Sequence, residues 1–334
     1  MSETVAQIVR PPSQLDFLPV GLFGSVMGLT GLSVAWRLAL AQYGGPAFLA
    51  PIAPTIGIIA VMTFLALVAG YAVKVVRAFH AVQAEFRHPI AGSLFGTVLI
   101  SLLLLPIVLA PFSLVLARAL WVTGAVGMIV FAWVIVSRWM SDRQQTAHAT
   151  PAWIIPVVGL LDVPLALPML DLPSMQGLVV FALAVGLFFA VPLFTLIFSR
   201  LLFEPPLPDS LKPSLLILVA PFAVGYSTYS VAAGHADLFA EALYMLTLFI
   251  LAVLLGQLRH LTVCCPFRVS WWAVSFPLAA SAIAALRFAA VAATLVTDLI
   301  AWILLGLATA VIAGLFVRTL LGLARGELRT LSAP

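Results

Sequence analysis

Long apolar runs separated by short polar breaks organise this chain. No Asp, Glu, Lys or Arg occurs from Leu38 to Val73, from His88 to Ala117, from Leu172 to Ser199, or from Pro213 to Ala236. Each run can cross a bilayer, which takes about 20 apolar residues. Dividing the runs at prolines, glycines and charge clusters predicts ten helical spans. They lie near 19–40, 52–78, 89–110, 112–137, 151–170, 174–199, 213–233, 237–258, 270–291 and 297–320. These spans use most of the chain, so the loops are short and no separate soluble domain fits. The reading is an all-α polytopic membrane protein: one transmembrane domain over 19–323, with tails at 1–18 and 324–334. Function is therefore expected inside the membrane part.

Composition agrees, with 63% hydrophobic and 8% charged residues against about 25% charged in a soluble domain. The first eighteen residues are polar and mixed, with Glu3, Arg10 and Asp16. They lack the basic-then-apolar pattern of a cleaved signal, so the first helix is expected to stay in the mature protein. Thirteen of the sixteen basic residues fall in loops and tails on one face; Arg37, Arg118 and Arg287 are the exceptions. The excess of basic loops places both termini in the cytoplasm. The net charge of +4 is thus accounted for by topology, and nothing in it points to nucleic acid.

Prolines and small residues mark alternate spans. Pro19, Pro89, Pro151 and Pro213 open spans 1, 3, 5 and 7, while Pro156, Pro221 and Pro277 lie one or two turns in. Proline costs little at a helix start but frees a carbonyl and kinks the helix further along. The odd spans start at 19, 89, 151, 213 and about 270, which suggests a helical hairpin used five times. Gly21, Gly24, Ser25, Gly28 and Gly31 in span 1, and the alanine-rich stretch after Pro277 in span 9, permit close helix packing or leave room around a central path. Repeated in five helices, the habit favours an inner ring of odd spans and an outer ring of even ones.

Catalytic chemistry has little to stand on. The two cysteines, Cys264 and Cys265, are adjacent, a geometry strained for a disulfide. The five histidines, His80, His88, His148, His235 and His260, are scattered near loops without a zinc or nucleophile motif. No phosphate-binding glycine loop occurs. The expectation is a protein that is no enzyme, with no cofactor and no bound metal.

Four segments carry a family pattern: Pro19-Val20-Gly21-Leu22-Phe23-Gly24, Pro151-Ala152-Trp153-Ile154-Ile155-Pro156, Leu218-Val219-Ala220-Pro221, and the stretch from Ser270 to Ala279 that contains Trp272-Ala273-Val274-Ser275-Phe276-Pro277. In order and on the correct helices, they resemble the tellurite-resistance/dicarboxylate transporter family, which includes plant slow anion channels. The resemblance implies five hairpins about a quasi-fivefold axis, odd helices lining a pore, and a homotrimer with one pore per subunit in the bacterial inner membrane. It implies passage of small anions such as chloride, nitrate, dicarboxylates or tellurite-type oxyanions. It also implies Phe276 as the pore gate and Gly24, with Gly21, as bare backbone against which the gate ring sits, packing being the alternative for each.

Further expectations follow from the residues. The N-termini of the odd helices converge on one mouth and attract anions through their aligned peptide dipoles. At the other end Arg37 and Arg287 either recruit anions or neutralise helix ends and snorkel to the interface. Pro277 beside Phe276 loosens local hydrogen bonding and helps the ring move. Asp162, near mid-membrane, either pairs with Arg287 or Arg118 or couples transport to protons, because buried acids are paired or functional. A proton-coupled carrier of dicarboxylates or other organic anions is the rival reading.

Overall fold

The computed structural model describes residues 17–235, 237–259 and 265–332. Glu3, Arg10, Asp16, His260 and Cys264, named above, lie outside the described residues. Among those described the chain is entirely helical, without strands. Ten segments are long and apolar enough to cross a membrane: segment 1 (Val20–Tyr43), 2 (Ala47–Arg77), 3 (Ala91–Leu109), 4 (Leu114–Ser141), 5 (Pro151–Met169), 6 (Gln176–Phe203), 7 (Lys212–Ala233), 8 (Leu238–Leu258), 9 (Val269–Ala292) and 10 (Leu295–Ala324). The predicted spans match them with ends displaced by a few residues.

Odd and even segments occupy different surroundings. In the odd segments 61 to 83% of the central window is buried, against 11 to 39% in the even ones. Segment 1 packs on 3, 3 on 5, 5 on 7, 7 on 9, and 9 returns to 1, so the contacts close a cycle. Each even segment packs on the odd segment before it and the one after it, segment 10 packing on 9 and 1.

Every odd segment opens with a 3-10 turn before the α-helix proper begins, at Gly24, Gly96, Ile155, Ala220 and Ser275. The inner prolines fall at the second or third α-helical residue: Pro156, Pro221 and Pro277. The amides that open these α-helices, at Ile155, Ala220 and Ser275, still donate to the 3-10 turn before them, so each proline removes one bond inside a continuous segment. The expected kinks take the form of a change of helix type near one end, with Pro277 two residues past the junction at Ser275.

Segment 5 departs furthest from an α-helix, being 3-10 from Gly159 to Met169 with Pro164 and Pro168 inside. In such a run the amide of residue 164 would bond to the carbonyl of 161, but proline has no N–H. The Thr228 hydroxyl donates to that Leu161 carbonyl at 2.5 Å instead. Trp121 Nε1 donates to the neighbouring Val163 carbonyl at 2.9 Å.

The stretch between segments 2 and 3, read from sequence as loop, holds a nine-residue helix, Phe79–Arg87. It is too short to span but places Phe79, Val82 and Phe86 on one side at helical spacing. Glu85 anchors it: one carboxylate oxygen accepts from the Val20 amide at 2.7 Å, the other from Lys74 Nζ at 2.7 Å and the Tyr71 hydroxyl at 3.0 Å. Lys74 is 3% exposed and also donates to the Leu18 carbonyl.

Candidate functional site: two cavities bordered by Phe276

The opening halves of the five odd segments enclose a cavity of about 770 Å³. Its wall is mostly aliphatic, with Met27, Ile100, Ile155, Val158 and Ile217 among its residues, and Gly21 and Gly24 line it as well. The closing halves enclose a second, smaller cavity of about 100 Å³, which Arg37 and Arg287 both line. Phe276 and Val224 border both cavities. Phe276 is 9% exposed, so its ring is buried at the boundary between the two.

Ser275 sets the register of that ring. Its hydroxyl donates to the Gly24 carbonyl at 3.2 Å and the Trp272 carbonyl at 2.6 Å. Its side chain fills the hollow at Gly28, where an added Cβ would collide with it. One residue on, Phe276 comes level with the next turn of segment 1, and an added Cβ at Gly31 would lie 3.8 Å from the ring. A Cβ at Gly24 would meet only the Trp272 carbonyl, also at 3.8 Å. The glycine beside the ring is therefore Gly31, two helical turns beyond Gly24 on the same face. The sequence motif contained Gly24 and gave no sign of the register that brings Gly31 there.

The larger cavity's mouth carries polar groups tied to the protein. Segment 1 begins at the Glu85 carboxylate, and His88 Nδ1 accepts the Ala91 amide that opens segment 3. No side chain caps segments 5, 7 or 9. Ser113, Asp237 and Thr294 by contrast cap the even segments 4, 8 and 10. Beyond the spans, the Lys212 ammonium, 2.6 Å away, holds the exposed Asp209 carboxyl below its usual range. Thr294 makes a reciprocal capping box with Thr297.

Polar atoms without a hydrogen-bond partner concentrate at the cavities. Among the described residues nine such buried side-chain atoms occur. Thr150, Asp162, Ser270 and Ser332 contribute four on the larger cavity, and Thr30 and Arg287 two on the smaller. A protein normally pairs its buried polar groups, and six of these nine border the two cavities, where water has room to satisfy them.

Asp162 reaches neither of its expected partners. It lines the larger cavity while Arg287 lines the smaller one, and no ion pair includes it among the described residues. Arg118 is engaged elsewhere, donating to the Leu170 and Asp171 carbonyls at 2.7 and 2.5 Å with the Asp171 carboxylate at 3.5 Å. The expected pairing fails because the 3-10 turn of segment 5 directs Asp162 inward, while Arg118 meets that segment at its far end. Arg37 donates to the Ile107 carbonyl at 3.1 Å, leaving it on the wall of the smaller cavity. Cys265 is buried and forms no disulfide among the described residues, and no cluster of three metal-ligating side chains occurs among them.

Known proteins share this layout of sequence. The chain is 29% identical over 315 residues to the S-type anion channel SLAH3 of Arabidopsis thaliana, covering 91% of this chain and 48% of that protein. It is 25% identical over 313 residues to the guard cell S-type anion channel SLAC1 of the same plant, covering 91% of this chain and 55% of that one. It thus spans about half the length of these plant relatives. To the tellurite resistance protein TehA homolog of Haemophilus influenzae it is 26% identical over 280 residues, 81% of each chain. A sequence profile described as SLAC1, voltage-dependent anion channel, matches residues 18–320, nearly the whole described chain, and the protein belongs to that family.

Proposed function

We propose that this protein conducts small anions through a pore in each subunit, gated by Phe276. The observation that carries this reading is a pair of cavities lined by the five odd segments and bordered in common by Phe276 and Val224. The transmembrane domain runs over 19–323, and the odd segments surround the axis in a quasi-fivefold arrangement. Uncapped helix starts bring partial positive charge to the wide mouth, and Arg37 and Arg287 bring full charge to the narrow one. Neither end holds an anion tightly, which suits conduction, since a tightly bound ion does not leave. Chloride and nitrate are the simplest cargo; dicarboxylates and oxyanions fit the wide cavity.

The membrane is the bacterial inner membrane, and the excess of basic loops on one face supports both termini being cytoplasmic. Apolar faces of the even segments, with Phe188, Trp133 and Phe249 exposed, serve lipid and the neighbouring copies of a homotrimer. Transport rather than catalysis is the activity, and it needs no cofactor. The carrier reading keeps one supporting observation, the unpaired acid on the cavity wall. In planar bilayers with a chloride gradient, the Phe276→Ala variant is expected to show a reversal potential that follows chloride. A potential following the cation would overturn anion conduction.

A further inference from the structure

Asp162 is the only charged side chain of segment 5 and stands 2% exposed on the wall of the larger cavity that Phe276 closes. Its Oδ1 has no hydrogen-bond partner among the described residues. The backbone on either side is held, since Leu161 and Val163 offer their carbonyls to Thr228 and Trp121 from segments 7 and 4. The backbone that carries the carboxyl is thus held on both sides of it.

Neighbouring elements supply no counter-charge among the described residues. Segment 3 has no titratable residue. On segment 4, Arg118 is bound at the far end of segment 5, and Arg138 donates to the Phe86 carbonyl at 3.0 Å. Arg200 is the only charged residue of segment 6 and borders neither cavity. On segment 7, Tyr226 packs tilted against Tyr244 and edge-on to Phe288, Tyr229 donates to Asp237, and Lys212 at the start of the segment pairs with Asp209. The other charged or titratable groups lining the cavity stand at its mouth: Glu85, His88 and Arg268.

The two forms of a carboxyl act oppositely on an anion. The acid is an O–H donor, whereas the carboxylate only accepts and in a low-dielectric wall repels a passing negative charge strongly. We propose that Asp162 forms an anion subsite on the wide side of Phe276 in its acid form, donating its hydrogen bond to the ion, and that its ionisation shuts the path. The ligand class is any small anion with an accepting lone pair, halide or oxyanion alike. No bond to carbon or metal forms; the proton stays on Asp162 while the ion rests and leaves. This inference rests on the conduction reading above and adds a pH dependence that an aromatic gate alone does not give.

The test is chloride flux in proteoliposomes of the Phe276→Ala variant from about pH 5 to about pH 9, the range in which buried acids titrate. Flux should fall by roughly tenfold as the pH rises. Adding Asp162→Asn should hold flux near its low-pH level throughout, while Asp162→Glu should keep the fall with a displaced midpoint. A fall that survives Asp162→Asn, or a midpoint that Asp162→Glu leaves in place, overturns the inference. A flat profile with measurable flux sinks this inference alone and leaves conduction standing; absence of flux at every pH sinks conduction and the inference together.

Discussion

The odd and even segments are built from similar apolar residues yet solve different problems. An even segment is an unbroken α-helix across most of its length, capped in three of five cases by a side chain and exposed over most of its surface. An odd segment changes helix type near its start, is mostly buried, and turns small residues toward its neighbours. Lipid asks of a helix only that its backbone be satisfied internally. A helix that must enclose a cavity and still touch two like helices needs close approach in some places and space in others. Regularity therefore belongs to the outer segments and local irregularity to the inner ones.

That contrast can be pressed first where charge is buried against the cycle. Lys74 belongs to an even segment but reaches inward to Leu18 and Glu85. Lys74→Met strands the Glu85 carboxylate that holds the start of segment 1, and a broken buried pair costs about 3 to 5 kcal/mol. Thermal unfolding in detergent should show it as the largest loss among these substitutions. A loss no larger than that of a lipid-facing change would mean that the short helix Phe79–Arg87 is not fixed to the wall.

A matched pair of glycines sharpens the comparison. At Gly28 on segment 1 an added Cβ collides with Ser275, whereas at Gly314 on segment 10 it meets nothing within 4 Å. Gly28→Ala should destabilise by about 1 to 3 kcal/mol through overpacking. Gly314→Ala should shift stability by about 0.5 kcal/mol or less, toward the folded state, because alanine is the better helix former. Equal effects at the two sites would erase the distinction between inner and outer segments.

Sequence showed the ten spans, the hairpin repeat and the crowding of odd helices, because hydropathy, proline and glycine are local signals. Its family motif pointed to Phe276, which borders both cavities. What it could not show depends on register between helices. The place of Gly31 beside the ring follows from Ser275 seating at Gly28, a contact 247 residues apart in sequence numbering by difference of the two positions. The isolation of Asp162 follows from Arg118 being taken by carbonyls at the end of segment 5. The amphipathic helix Phe79–Arg87 was hidden because nine residues rich in polar side chains look like a loop between two strong apolar runs.

The proposed conduction turns on one ring, Phe276, at the border of a wide space and a narrow one. The decisive measurement is chloride efflux from liposomes holding equal amounts of the parent protein and Phe276→Ala at one fixed acidic pH. Removing the ring joins the two cavities, and efflux should rise at least about tenfold, the effect of lifting a barrier of about 1.4 kcal/mol. Equal efflux from the two proteins would contradict the claim that Phe276 closes the path.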